Sequence, residues 1–149
     1  MKEVSSFKEL ISDLKHDVTV LAQTSSYIYH MFDNISWAGF YIVDKDSLYL
    51  GPFNGPIACT EIPFSRGVVG ACATSKETIV VPNVNLFPGH IACDALSASE
   101  IVLPIFNKTK LYAVLDIDSH LLNRFDDEIV TEIKKIALEV SNTISKILN

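Results

Sequence analysis

Hydrophobic positions along this chain follow two rhythms. In the first 33 residues they recur at helical spacing. Phe7, Leu10, Ile11 and Leu14 fall on one face, and a second series runs Val18, Leu21, Ala22, Ser25, Ile28, Tyr29, Phe32 before the turn-forming Asp33-Asn34. From Trp37 the pattern shortens. Trp37–Val43 is β-branched and aromatic, Ser47–Leu50 is a second short run, and together they predict a hairpin over 36–50. Gly51, Pro52, Asn54, Gly55 and Pro56 form a breaker cluster, after which Ile57–Ile62 alternates as a third strand. Gly67–Ser75 predicts a short apolar helix, and Thr78–Val81 a strand fragment stopped by Pro82. Residues 82–99 lack periodicity and form a long loop, a kind of segment that is usually functional or disordered in a compact domain. Glu100–Phe106 and Leu111–Ile117 are the strongest strand signals, joined by a turn at 107–110. Asp126–Leu148 closes the chain as a helix, with Ile129, Ile133, Ile136, Val140, Ile144 and Ile147 in a narrow stripe.

Helices at both ends with short, tightly connected strands between them predict an α+β domain around a mostly antiparallel sheet. The helices cover one face; the other is left for the long loop and a pocket. At 149 residues the chain suits one domain, and 48% hydrophobic content excludes a disordered one. A net charge of −6 argues against nucleic-acid and anionic-membrane surfaces, and no apolar run reaches the ~20 residues of a membrane span. The charged N-terminus has no signal-peptide h-region, so a cytoplasmic location is expected. The isoleucine stripe of the last helix suits either a core-facing side or the seam of a homodimer.

Three features carry candidate chemistry. Cys93 stands in the long loop with His90 three residues before it and Asp94 beside it, a setting for a reactive thiolate or for a buried inert thiol. Zinc through His90, Cys93, Cys59 and Cys72 is disfavoured because no CxxC pair is present. Asp116 and Asp118 share one face of the strongest strand, and Glu100 lies across the hairpin from them by its distance from the turn. Trp37 and Tyr41 share a face of the first strand and serve as pocket walls or as core.

The segments Trp37-Ala-Gly-Phe-Tyr41, Leu50-Gly-Pro-Phe-Asn-Gly-Pro-Ile-Ala-Cys59, Ile62-Pro-Phe-Ser-Arg-Gly-Val68, Phe87-Pro-Gly-His-Ile-Ala-Cys-Asp94, Ser99-Glu-Ile-Val-Leu-Pro104 and Val114-Leu-Asp-Ile-Asp-Ser119 resemble the free methionine-(R)-sulfoxide reductases, which are stand-alone GAF-domain enzymes. The resemblance spans essentially the whole chain. It implies a single GAF domain over 1–149, with about six antiparallel strands, N- and C-terminal helices on one face and a closed pocket on the other. It further implies an oxidoreductase that reduces the free amino acid and acts in the oxidative stress response. Cys93 is then the catalytic cysteine and Cys59 its resolving partner in a redox-active disulfide recycled by thioredoxin. Trp37, Tyr41, Glu100, Asp116 and Asp118 bind substrate, and no metal or organic cofactor is needed. Family members commonly carry a third cysteine where this chain has Val69, so no relay through that position is expected, and Cys72 reads as a buried bystander. The competing function is a non-catalytic GAF module sensing a small metabolite or redox state.

Overall fold

A computed structural model describes residues 4–90 and 96–149. Its elements run α1 (Val4–Ile11), α2 (Asp17–Met31), β1 (Trp37–Asp44), β2 (Ser47–Asn54), β3 (Glu61–Pro63), α3 (Gly67–Ser75), β4 (Ile79–Val81), β5 (Ser99–Asn107), β6 (Lys110–Ser119) and α4 (Asp127–Leu148). A single 3-10 turn covers Val84–Leu86. The six strands form one antiparallel sheet in the order β3-β2-β1-β6-β5-β4. This is the α+β architecture that the hydrophobic pattern predicts.

The sheet divides the core into two layers. On one face α1, α2 and α4 pack Phe7, Leu21, Ile28, Ile133 and Ile136 against Phe40, Leu103, Leu115 and Ile117. On the other face Val68, Val69 and Cys72 of α3 pack with Trp37, Tyr41, Val102 and Val114. The isoleucine stripe of α4 is consumed in the first layer: Ile133, Ile136 and Ile144 are fully buried within the monomer. It is therefore not left over as a dimer seam. Asp126 caps this helix, its Oδ1 accepting the Ile129 N–H at 3.0 Å.

Three details depart from the expected strands. β2 runs through Gly51-Pro52 to Asn54, because the cluster is absorbed as an irregularity in pairing: Gly39 faces Phe53, whereas Tyr41 faces Leu50. Proline without an N–H is tolerated at such a bulge, and the Pro52 carbonyl accepts a bond from Ser25 Oγ at 3.1 Å. The third strand is only Glu61–Pro63, so residues 57–60 are loop. Alternation alone could not tell that loop from a strand. The β5–β6 hairpin closes on the two-residue turn Lys108-Thr109, and Lys108 takes φ 57°.

That hairpin carries a one-residue bulge. Phe106 faces Leu111, but Ile105 faces Ala113, which leaves Tyr112 without an opposite number. Leu111 consequently points to the pocket layer, while Ala113, Leu115 and Ile117 point to the helix layer. A one-residue slip exchanges the faces of a strand, so the bulge decides where Asp116 and Asp118 end up. Tyr112 packs against the helix layer and donates its hydroxyl to Asp17 Oδ2 at 2.7 Å. Beyond β4, the end of β5 and the turn after it are bound from α4: Ser141 Oγ accepts the Phe106 N–H at 3.0 Å and Ser145 Oγ the Lys108 N–H at 2.7 Å.

If the stripe belongs to the monomer core, Ile133→Ala should cost about 2–5 kcal/mol, the usual range for truncating a buried isoleucine. The loss should appear as a lower urea midpoint that does not change with protein concentration. A concentration-dependent loss would instead assign the stripe to an interface.

Candidate active site

The pocket layer opens into a cavity of about 540 Å³, counting its solvent-open mouth. The sheet forms the floor and α3 one wall. Trp37 and Tyr41 of β1, Glu100 of β5 and Asp116 and Asp118 of β6 all line it, so five of the residues singled out in the sequence meet in one place. The register explains their meeting. Trp37 faces Asp118, Gly39 faces Asp116, and Glu100 faces Asp118 across neighbouring strands. Residues directly opposite in antiparallel strands share a face.

Trp37 is positioned from three sides. Its ring stacks near-parallel with Phe53 (5.3 Å, 15°) and Tyr41 (5.9 Å, 21°), and its indole N–H donates to the Pro56 carbonyl at 3.1 Å. Gly55, at φ +128°, passes beneath the ring, where a Cβ would sit 2.8 Å from Cδ1. Tyr41 donates its hydroxyl to the Cys59 carbonyl at 3.0 Å, which ties the sheet floor to the 57–60 loop. Burial and the three nearby carboxylates push the Tyr41 pKa up, so it remains a neutral donor.

Glu100, Asp116 and Asp118 each present an oxygen within 4.8 Å of the others. Glu100 and Asp116 are only 6% exposed. Charged carboxylates so placed are costly unless paired or protonated. Burial first, and then the charges of Asp116 and Asp118, raise the Glu100 pKa well above the usual carboxylate range. Burial also pushes Asp116 up to about 6, opposed by the bond it accepts from Glu100. Burial and its acidic neighbours therefore favour the protonated form of Glu100, which is hydrogen-bonded with the two aspartates. Ser97 Oγ donates to Asp118 Oδ1 at 3.4 Å. Asp116 Oδ1 is buried and has no hydrogen-bond partner among the described residues, so it is an acceptor open to a donor.

Such a trio can receive a cation. A calcium-like ion asks for six to eight oxygens, whereas an ammonium has three N–H donors, one for each carboxyl group. Aromatic and aliphatic side chains supply much of the remaining wall, so the site suits an ammonium better.

Sequence reasoning missed the α3 wall. Arg66, Gly67, Val68 and Val69 line the cavity where the helix begins. The Gly70 N–H closes the first turn on the Arg66 carbonyl at 3.1 Å, so the amides before it have no intrahelical partner and mark a site for an anion. Gly70 lets α3 approach this closely: a Cβ there would lie 2.6 Å from the Phe64 carbonyl oxygen. The glycines of Gly67-Val-Val-Gly70 were the available signal. Ser97 and His90 also line the cavity, and burial lowers the His90 pKa and favours a neutral imidazole.

Of the cysteines, Cys59 is disulfide-bonded. Cys72 is a free, fully buried thiol whose pKa is pushed up to about 12 by burial and by the Asp116 charge, which makes it unreactive. Cys93 lies outside the described residues.

Comparison with known proteins accords with this geometry. The GAF domain family matches residues 17–144. Free methionine-R-sulfoxide reductase of Escherichia coli is 40% identical over 93% of this chain and 84% of its own length. The chain belongs to the free methionine-R-sulfoxide reductase family, on a GAF fold. Solved structures agree. The Neisseria meningitidis free methionine-R-sulfoxide reductase, in complex with its substrate, superposes with a TM-score of 0.92 at 37% identity, covering 97% of this chain and 87% of that one. The reduced form of the Staphylococcus aureus protein gives 0.91 at 40% identity, covering 95% of this chain and 92% of that one. Membership in this oxidoreductase family agrees with the resemblance read from the motifs.

The carboxyl trio makes a prediction about stability. A carboxyl group whose folded pKa is raised binds more protons folded than unfolded. Stability should therefore fall as pH rises from ~4 through the folded values, past about 6 for Asp116 and further for Glu100. Glu100→Gln should flatten this slope, measured as the difference in urea midpoint between pH 5 and pH 8. An unchanged slope would remove the trio as its source.

Proposed function

We propose that this chain reduces free L-methionine-(R)-sulfoxide to methionine. The observation that carries this reading is the orphaned Asp116 Oδ1 inside a carboxyl trio, in one cavity with the start of α3 and two aromatic rings. These features match the parts of a free amino acid. The carboxyl trio pairs with the ammonium, the α3 amides with the carboxylate, and Trp37 and Tyr41 with the methyl-sulfur end. A sulfoxide within a polypeptide has neither terminal charge, so Asp116 Oδ1 would stay unpaired. A site built for a charged hydrogen bond rejects ligands lacking it.

In the proposed reaction the Cys93 thiolate attacks the sulfoxide sulfur. The oxygen is a poor leaving group until protonated, and Glu100, held neutral by burial and its acidic neighbours, is the proton source. The protonated oxygen leaves as water while Cys93 bonds to the substrate sulfur; a water then attacks the Cys93 sulfur and displaces methionine, and the Cys59 thiol condenses with the resulting sulfenic acid to a disulfide with loss of water. The disulfide state of Cys59 supports its resolving role. A thioredoxin-type dithiol then reopens the Cys59–Cys93 bond by exchange. A module that only binds a small metabolite has no use for such a bond. We further propose that the chain is a single GAF domain over 1–149, works in the cytoplasm without a metal or organic cofactor, and assembles, if at all, as a homodimer through a surface other than the α4 stripe.

The test is a turnover assay on three substrates. Free R-sulfoxide should react, while free S-sulfoxide and a sulfoxide-containing peptide should react at least 100-fold more slowly. Equal rates on all three would overturn the reading of a pocket selective for the free amino acid. Cys93→Ser should abolish even a single turnover. Cys59→Ser should give one methionine per chain and then stop, as counted by quenched single-turnover chromatography. Normal recycling by Cys59→Ser would rule out its resolving role.

A further inference from the structure

The most exposed large apolar side chains among the described residues are Ile57 at 92%, Leu86 at 79% and Leu96 at 71%. They are not scattered. Ile57 stands two residues before the disulfide-bonded Cys59 and lines the mouth of the cavity, together with His90 and Ser97. Ser97 follows Leu96 directly, and the segment bearing Leu86 is bonded to the same lip, with the Val84 N–H on the Ala98 carbonyl at 2.9 Å. Val84, Phe87 and Cys59 pack into one cluster beneath. Leu121 and Leu122, also exposed, continue this rim, because the Ala98 N–H binds the Ser119 carbonyl and the Asn123 N–H binds the Pro82 carbonyl. Exposed leucines occurring singly need no explanation; a contiguous apolar rim marks an interaction surface.

We infer that this rim, formed by Ile57, Leu86 and Leu96 around the Cys59 disulfide, is the docking surface for a dithiol protein reductant. The inference rests on the reading above that the disulfide is cycled during turnover. The disulfide itself identifies the occupant. Reopening the bond requires two electrons, delivered by a thiolate attacking along the S–S axis. The partner thiolate forms a mixed disulfide with one sulfur while the other leaves as a thiolate and takes up a proton. The partner's second thiol then loses its proton, displaces the remaining sulfur and closes the partner's own disulfide. In total the chain gains two electrons and two protons and the partner loses them. A protein must bring its thiol onto this rim to do so, and burial of two or three leucine-sized side chains supplies the contact. A small dithiol reaches the same bond without touching the rim.

The experiment measures disulfide reduction directly and needs no sulfoxide. The oxidised full-length chain is mixed with reduced thioredoxin or with dithiothreitol, and released thiols are trapped and counted over time. A Leu86→Glu/Leu96→Glu double variant should be reduced by thioredoxin at least tenfold more slowly than the native chain, with its dithiothreitol rate unchanged. Leu86→Ser/Leu96→Ser should show the same selective loss to a smaller degree, and Leu138→Glu, on the exposed side of α4, should show none. Equal thioredoxin rates for native and variant chains would overturn the assignment. So would equal slowing by both reductants, or conversion of a native dimer to monomer by the variant, which would give the rim to a second copy. Because no sulfoxide takes part, failure of the proposed reductase activity would show separately, in the turnover assay.

Discussion

Three carboxyl groups crowd one cavity, two of them buried and Asp118 half-buried, and that crowding constrains much of the surrounding structure. Fully ionised, the trio would repel itself in a medium that screens poorly. The fold answers with a proton retained on Glu100, a hydroxyl from Ser97 and one acceptor, Asp116 Oδ1, left for an incoming cation. The same arrangement that makes the carboxyl trio uncomfortable makes the cavity selective. An ammonium relieves the repulsion and satisfies the orphaned oxygen together. The elements around it hold this uncomfortable group in place rather than letting it turn outward. The paired strands on both sides of β6 fix the backbone, and the helix layer behind it is closed by Leu115 and Ile117.

Much of this was legible in the chain. The helical and strand rhythms gave the end helices, and the symmetric distances about 107–110 brought Glu100 near Asp118. Other parts were hidden for identifiable reasons. Counting from the turn leaves the register one residue off, because the bulge at Tyr112 is not encoded by any glycine or proline. The bulged Tyr112 is bonded to a residue distant in sequence, Asp17. Gly51-Pro52 read as a break but is held inside β2, since a tertiary bond from Ser25 and an irregular pairing accept it. Ile57–Thr60 alternates as a strand would, yet forms the loop that carries the disulfide. The α3 wall was the largest omission. Apart from Arg66 its residues are small and apolar, and the free amides of a helix start are not recorded in a side-chain inventory.

The two cysteines among the described residues end in different circumstances because of where the fold puts them. Cys59 stands on a loop at the cavity mouth, tied to the floor through Tyr41. Cys72 is sealed under α3 beside the acidic trio, where burial and a neighbouring negative charge both disfavour its thiolate. Proximity to a reactive centre is thus no guide to reactivity; the local potential decides it.

The serines of α4 that bind the backbone of β5 have an effect beyond local packing. β4 pairs with β5 only as far as Val102, which would leave the rest of that strand as an open margin. Pro104 brings no N–H, and those of Phe106 and Lys108 are already taken by Ser141 and Ser145. A neighbouring molecule therefore finds no continuous row of donors on which to build a seventh strand. Open sheet margins are a common route to aggregation, and this one is closed by two hydroxyls supplied from its own final helix.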